Sequence, residues 1–171
     1  MIKIISGGQT GADVAGWRAA KAFGLETGGW MPKGYLTEDG PRPEFAELYG
    51  AVEHSSSRYP PRTKLNIRNA DLTMIFDVSE STQVVEMSRG TQLAVSMARE
   101  LDRLVVVIHA DLSSPPSPKR AEAIKAWLDD KDVRTINIAG NRESKAHGIG
   151  AWVEAYMREV FKALGLKEVS Q

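Results

Sequence analysis

Four short runs of apolar residues constrain the fold of this chain more than any other feature. They do not alternate with polar residues, they are rich in β-branched side chains, and they cover Ile2–Ile5, Leu72–Phe76, Leu104–Ile108 and Thr135–Ile138. Such runs are typical of parallel sheets, because helices cover both faces of the strands. Weaker runs at Glu26–Trp30 and Gly50–Glu53 are candidates for two further strands.

Segments of helical periodicity lie between these runs. Apolar residues repeat at intervals of three and four in the stretches that start near Val14, Gly90, Ser117 and Ile149. This alternation predicts right-handed βαβ units and therefore an α/β fold, an open, mostly parallel sheet with helices on both faces. Residues 31–49, rich in Pro, Gly and charged residues, are interpreted as an irregular loop, and a loop that long is more often functional than idle.

Length and composition limit the class of protein. The 171 residues predict a single domain over residues 1–171, and 42% apolar residues suffice for a buried core. Lys plus Arg and Asp plus Glu both total 22, so the sequence lacks the basic surplus of a nucleic-acid binder. It also lacks cysteine for disulfides, thiolate metal sites or a nucleophile. No stretch reaches the roughly 18 apolar residues that span a bilayer, so we expect a cytoplasmic protein without membrane or nucleic-acid partners.

The first strand leads into a glycine-rich turn, Gly7-Gly8-Gln9-Thr10-Gly11, and then into a helix. Glycine leaves no Cβ to block an approaching ligand, and the first turn of a helix has amides without intrahelical partners. These amides and the positive end of the helix dipole predict a site for a phosphate-bearing small molecule. Two roles are open for Asp13: a capping box with Thr10, or contact with the ligand or with Mg²⁺.

A second glycine turn, Gly90-Thr91, also precedes a helix, and Asp77 ends the strand before it. Because open α/β sheets bind ligands beyond the carboxyl ends of their strands, we expect both turns to face one crevice from neighbouring strands. Asp77 is interpreted either as a ribose or pterin contact or as part of a plain turn. The sequence contains no Ser-His-Asp order and no nucleophile elbow, so it predicts neither a catalytic residue nor a dedicated metal site.

Three more residues are candidates for ligand contacts. Arg62 and Asn66 are one helical turn apart, so they can present a guanidinium and an amide to the same ligand. Asn66 is at least as well suited to cap the next strand. Trp30 lies between glycines and Pro32, where its ring can stack on a planar heterocycle.

Three stretches of the sequence together carry a family resemblance. They are Ser6-Gly7-Gly8-Gln9-Thr10-Gly11-Ala12-Asp13, Thr27-Gly28-Gly29-Trp30-Met31-Pro32-Lys33-Gly34 and Arg62-Thr63-Lys64-Leu65-Asn66-Ile67-Arg68-Asn69-Ala70-Asp71. In this order and spacing they resemble the molybdenum-cofactor carrier family, also described as circularly permuted YpsA-like members of the SLOG superfamily. The resemblance runs from residue 2 to about residue 110, and the last third of the chain adds only a compatible βα pattern.

The resemblance implies a Rossmann-like fold related to the lysine-decarboxylase-like (LOG) proteins. It also implies a homo-oligomeric binding or carrier protein, a dimer or tetramer, for a nucleotide or a pterin phosphate such as molybdopterin, the molybdenum cofactor, with Lys33 closing over the phosphate. Relatives carry a Gly-Gly-Thr turn where this chain has Arg89-Gly90-Thr91. Arg89 either adds a positive charge facing the phosphate or fills the space of a ligand, which would leave a regulatory or scaffold domain with a vestigial pocket.

The alternative is an enzyme, a LOG-type hydrolase that cleaves the N-glycosidic bond of a nucleotide. Those relatives use a Pro-Gly-Gly-x-Gly-Thr-x-x-Glu motif, whereas Gly90-Thr91 leads here to Ala94, so the functional glutamate is missing. Asp13, Asp77 or Glu86 would have to replace it as general acid or base. The sequence therefore favours binding over catalysis.

Overall fold

A computed structural model describes residues 2–79 and 87–169. The strands in these ranges are β1 (Lys3–Ser6), β2 (Glu26–Met31), β3 (Leu36–Thr37), β4 (Gly40–Pro41), β5 (Ala51–Glu53), β6 (Leu72–Asp77), β7 (Leu104–His109) and β8 (Thr135–Gly140). The helices are α1 (Ala12–Ala22), α2 (Phe45–Tyr49), α3 (Tyr59–Asn69), α4 (Arg89–Glu100), α5 (Pro118–Asp130) and α6 (Ile149–Ala163). Every strand predicted from an apolar run is present, within one or two residues of its expected bounds.

The main sheet has the order β5-β2-β1-β8-β6-β7, and each pair of neighbours is parallel. This confirms the α/β, Rossmann-like fold. The expectation that the two glycine turns follow neighbouring strands was wrong, because β8 lies between β1 and β6. From β1 the chain winds toward one edge and from β6 toward the other, and β8 returns between them. The carboxyl ends of these three strands therefore meet at a topological switch point.

Helices cover both faces of the sheet. α6 packs against α1 and α5 on one face, and α3 packs against α4 on the other. The larger apolar core lies on the α6 side and includes the fully buried Trp17, Tyr156 and Phe161. A smaller cluster around Ile67 and Ile75 lies under α3 and α4. In the described ranges, no helix has the length and apolarity needed to cross a membrane.

Residues 31–49 are more ordered than an irregular loop. They contain a 3₁₀ turn at Lys33–Tyr35, the antiparallel β3–β4 hairpin and α2. Two aromatic side chains of α2 anchor the segment: Phe45 packs edge-on against Trp17, and Tyr49 stacks on the same ring with centroids 4.8 Å apart. The sequence did not reveal this, because the elements are short and depend on contact with α1.

The start of α1 is covered by the connection between β8 and α6. Gly11, the residue before the helix, has φ 77° and ψ −125°, a conformation that side-chain-bearing residues avoid. A Cβ at Gly11 would lie 2.6 Å from the Asn141 carbonyl oxygen, which accepts a hydrogen bond from the Ala12 amide at 3.2 Å. Gly11 is therefore required by both its backbone angles and its neighbour.

The Gly11→Ala variant should lower the free energy of unfolding by at least about 2 kcal/mol, because the strained φ and the clash with backbone add together. Gly165→Ala is the matched control: Gly165 has φ 78°, but nothing lies within 4 Å of its would-be Cβ. That variant should lose only about 1 kcal/mol, the cost of a positive φ alone. Urea denaturation of both variants measures the difference, and equal losses would contradict the proposed clash.

Candidate functional site

Three amide groups of the first glycine turn, and the first amide of α1, are hydrogen-bonded within the protein. The four pairs are Gly8 N to Ser6 Oγ (3.2 Å), Gln9 N to Asp13 Oδ2 (3.2 Å), Thr10 N to Gln9 Oε1 (3.0 Å) and Ala12 N to Asn141 O (3.2 Å). These four donors are therefore not directed at an incoming anion, and side chains become the stronger candidates for the centre of the site.

The capping box expected between Thr10 and Asp13 is not formed. The Thr10 hydroxyl donates to Glu38 and accepts from the amide of Glu143 at 3.2 Å. The carboxylate of Asp13 accepts from the Gln9 amide rather than from Thr10. Asp13 consequently faces away from the helix cap and toward α3.

Asp13 forms a buried ion pair with Arg62. Arg62 Nη1 lies 3.6 Å from Asp13 Oδ2, and the two side chains are 11% and 6% exposed. Burial raises the pKa of Asp13, although Arg62 and the Gln9 amide oppose the rise. Burial also lowers the pKa of Arg62, against the effect of Asp13. A Cβ at Gly7 would lie 1.5 Å from Arg62 Nη1, so Gly7 makes room for this guanidinium.

The side chain of Gln9 is held in one orientation. Its Oε1 accepts from the amides of Thr10 at 3.0 Å and Glu38 at 2.9 Å, so its Nε2 must point the other way. Gln9 is 6% exposed, and Nε2 has no hydrogen-bond partner among the described residues. Arg62 Nε is likewise buried and without a partner in that part of the chain. Buried donors in this state point to a missing acceptor.

Both side chains line a cavity of 160 Å³ between the first glycine turn, α3 and the start of α4, which we call the Arg62 cavity. Its polar lining includes Gln9, Asp13, Tyr59, Arg62, Thr91 and Arg142. The Tyr59 ring lies close to both guanidinium groups, with its centroid 5.6 Å from Cζ of Arg62 and 5.5 Å from Cζ of Arg142. Gly90 also lines the cavity, so both glycine turns contribute to one crevice although their strands are not neighbours.

Asp77 organises the second turn. Its Oδ1 accepts from the Ser79 amide at 2.9 Å, and its Oδ2 accepts from the Thr91 hydroxyl at 2.5 Å. Ser88 caps α4 by accepting from the Thr91 amide at 3.2 Å. Burial raises the pKa of Asp77, but the hydrogen bonds from Thr91, Ser79 and Ser88 outweigh it and hold the pKa below the usual value. These contacts fit the interpretation of Asp77 as a turn residue.

Glu38, in the β3–β4 hairpin, joins three separate segments. Its carboxylate accepts from Thr10 and from the Ser144 amide at 3.2 Å, and lies 3.8 Å from Arg142 Nη1. Burial raises the pKa of Glu38, but hydrogen bonds from Ser144 and Thr10 lower it by more. The net shift of the pKa is therefore downward. A second cavity of 370 Å³ lies next to this junction, and its lining includes Gly8, Thr10 and Gly11.

Nine predicted ligand contacts do not line the Arg62 cavity: Gly7, Gly8, Thr10, Gly11, Trp30, Lys33, Asn66, Asp77 and Arg89. Asn66 instead pairs with the backbone of Trp30, accepting from its amide at 2.8 Å and donating to its carbonyl at 3.0 Å. The Trp30 ring lies edge-on to His54, with centroids 6.3 Å apart. Lys33 is exposed, and Arg89 is exposed at the start of α4; neither lines the Arg62 cavity, so Arg89 does not fill it.

Sequence reasoning missed Arg142, Tyr59 and Glu38. Arg142 follows β8 by two residues, so the rule that ligands bind beyond the carboxyl ends of strands could have identified it. Tyr59 precedes Arg62 by three residues on α3 and shares a face with it. Glu38 gave no such signal, because only tertiary packing brings the hairpin to the glycine turn.

The candidate acids are already engaged. Asp13 is paired with Arg62, and Asp77 holds the second turn. Glu86 lies outside the described residues, as do residues 80–82 of the loop that follows Asp77. Across residues 2–79 and 87–169, no group of three or more His, Cys, Asp or Glu side chains is arranged to hold a metal ion.

Comparisons with known proteins agree with the motif resemblance. The model of the circularly permutated YpsA SLOG family matches residues 4–161. The crystal structure of a "Putative molybdenum carrier protein" from Syntrophus aciditrophicus SB is similar, with 33% sequence identity, a TM-score of 0.79 and 94% of each chain covered. A comparison with curated proteins gives no match.

The Asp77→Asn variant should lower the free energy of unfolding at pH 7 by about 1–3 kcal/mol, because charge-assisted hydrogen bonds at the second turn are lost. The folded-state pKa of Asp77 lies below its ordinary value of 3.8, so its stabilising effect is present above that pH and is lost as pH falls through the folded pKa. We therefore expect the difference in stability between wild-type protein and Asp77→Asn to shrink below pH 4. Thermal unfolding of both proteins from pH 7 to pH 3 measures this difference. Asp39→Asn, at an exposed position, is the control, and a deficit that persists unchanged at pH 3 would contradict this account.

Proposed function

This chain belongs to the circularly permutated YpsA SLOG family, and from that premise we propose that it binds a phosphate-bearing small molecule in the Arg62 cavity. The observation that carries the proposal is the pair of buried donors, Gln9 Nε2 and Arg62 Nε, which lack partners within the described ranges. A buried donor without an acceptor costs about 1–3 kcal/mol, and a ligand oxygen would remove that cost.

The charge of the cavity supports an anionic ligand. Two guanidinium groups, those of Arg62 and Arg142, line it against one carboxylate, that of Asp13. The Arg62 and Asp13 side chains are only 11% and 6% exposed, so water screens their charges weakly, whereas the Arg142 side chain is 39% exposed. Guanidinium groups also match the geometry of phosphate oxygens better than ammonium groups do.

The size of the cavity limits which part of a ligand it can hold. At 160 Å³ it accommodates a phosphate-sized group, whereas sites for whole drug-sized molecules have volumes of about 300–1,000 Å³. The phosphate of a nucleotide or of molybdopterin fits on this criterion, and its heterocycle would lie outside. A molybdenum cofactor would be cargo, held through its phosphate. Assembly into a homo-oligomer remains a prediction from the family resemblance.

Cleavage of an N-glycosidic bond, the LOG-type alternative, has less support. A general acid or base needs a carboxyl group free to exchange a proton with the substrate. The Asp77 carboxylate accepts hydrogen bonds from Ser79 and Thr91 and does not line the Arg62 cavity, and Ala94 stands where the LOG-type motif has its glutamate. We therefore propose binding without chemistry.

The Arg142→Gln variant tests the proposal. In wild-type protein, inorganic phosphate or AMP at about 100 times its dissociation constant should add about 2.7 kcal/mol to the free energy of unfolding. Arg142→Gln should weaken binding about 10- to 100-fold, because a charge-assisted contact is lost. Isothermal titration calorimetry and thermal shifts measure both effects.

Arg134→Gln is the matched control for this experiment. Arg134 lies just before β8, at the opposite end of the strand from Arg142, and its side chain is 73% exposed. Its replacement should leave phosphate affinity unchanged. The proposal fails if neither phosphate nor AMP stabilises the wild-type protein, or if the two arginine variants bind equally well.

A further inference from the structure

We infer that the Arg62 cavity selects an oxyanion that shares a proton with Asp13, namely hydrogen phosphate or a singly protonated phosphate monoester, over fully ionised oxyanions such as sulfate and molybdate. This inference rests on the proposed function, since it concerns the same site. It goes further by assigning Asp13 a role in specificity and by naming the protonation state of the ligand.

The first step is the position of Asp13. It is the one acidic side chain in the described lining of the Arg62 cavity, and it is 6% exposed. The Gln9 amide fixes its Oδ2 at 3.2 Å. Its carboxylate therefore cannot turn away into solvent when a ligand enters.

The second step is the incomplete pairing of Arg62 with Asp13. Their closest atoms are 3.6 Å apart, beyond the usual length of a direct N–H···O hydrogen bond. Arg62 Nε and Gln9 Nε2 also lack acceptors within the described chain. Two donors without acceptors thus lie beside a carboxylate in the side chains that line the cavity.

The third step is electrostatic. The charged and titratable groups that face Asp13 among the described residues are Arg62 and Tyr59 from α3 and Arg142 from the β8–α6 connection. An unprotonated ligand oxygen would bring its lone pairs against the carboxylate oxygens in a site of low dielectric, which is repulsive. A ligand hydroxyl would instead donate a hydrogen bond to Asp13.

The direction of the pKa shift of Asp13 points the same way. Burial raises the pKa of Asp13 above its ordinary value. A fully ionised ligand can therefore bind only when Asp13 takes up a proton from solvent, whereas hydrogen phosphate brings its own proton. In the complex with either kind of ligand, one proton lies between the ligand and Asp13. At alkaline pH only the ligand can supply that proton.

Competition among tetrahedral oxyanions tests the inference. Calorimetry of wild-type protein at pH 8 uses inorganic phosphate, sulfate and molybdate, because phosphate alone carries a proton at that pH. Phosphate should bind at least about 100-fold more tightly than the other two, as expected when a site built for a hydroxyl meets a ligand without one. AMP, whose phosphate has a second pKa of about 6, should bind more tightly at pH 6 than at pH 8 if the natural ligand is a monoester.

Asp13→Asn should reduce the preference for phosphate over sulfate to less than about tenfold, because its amide can donate to an ionised oxygen. Asp39→Asn, at an exposed acid outside the Arg62 cavity, should keep the wild-type preference. If Asp13→Asn does not fold, the pH dependence of sulfate binding to the wild-type protein decides: sulfate should bind more weakly at pH 8 than at pH 6, because Asp13 must carry a proton in that complex.

The outcomes separate this inference from the proposed function. Equal affinities of wild-type protein for phosphate and sulfate at pH 8, or an unchanged preference in a folded Asp13→Asn variant, would overturn the inference and leave phosphate binding intact. A sulfate affinity that is equal at pH 6 and pH 8 would do the same. Absence of binding by every oxyanion and by AMP would overturn the proposed function itself.

Discussion

The buried contact between Arg62 and Asp13 is the interaction on which the rest of the site depends. It joins α3 to the start of α1, and the guanidinium lies so close to Gly7 that a side chain at this position would have to displace it. Removing one partner of a buried pair leaves an uncompensated charge, which is strongly destabilising. The contact therefore explains why a residue without a side chain stands at position 7. It also fixes the position of the turn, and the Arg62 cavity lies beside this contact.

The site is assembled from segments that are far apart in the sequence. Glu38 connects the β3–β4 hairpin to the first glycine turn and to the β8–α6 connection. Arg142 comes from the last third of the chain, where the family motifs give no signal. Because β8 is inserted between β1 and β6, it brings Arg142 to the point at which the direction of winding reverses. The strand order thus supplies the second cation.

The sequence predicted the strands well and the turn chemistry less well. Apolar, β-branched runs identify buried strands because their pattern depends on burial alone, and even the short β5 was found. The hairpin and α2 within residues 31–49 were missed, since their stability comes from packing on Trp17. The glycine turn was located correctly, but its amides were expected to be free. The side chains of Ser6, Asp13 and Gln9 instead accept from the amides of Gly8, Gln9 and Thr10.

By itself, the sequence determined the fold class, the positions of the strands and the family, because these depend on local periodicity and on motifs of fixed spacing. It also named Gln9, Asp13, Arg62, Gly90 and Thr91, which the structure places around one cavity. Only the tertiary structure decided that Asp13 faces Arg62 rather than capping α1, and that Asn66 is used by the backbone of Trp30. The physical reason is that a polar side chain has several potential partners, and the one it meets is set by strand order and packing.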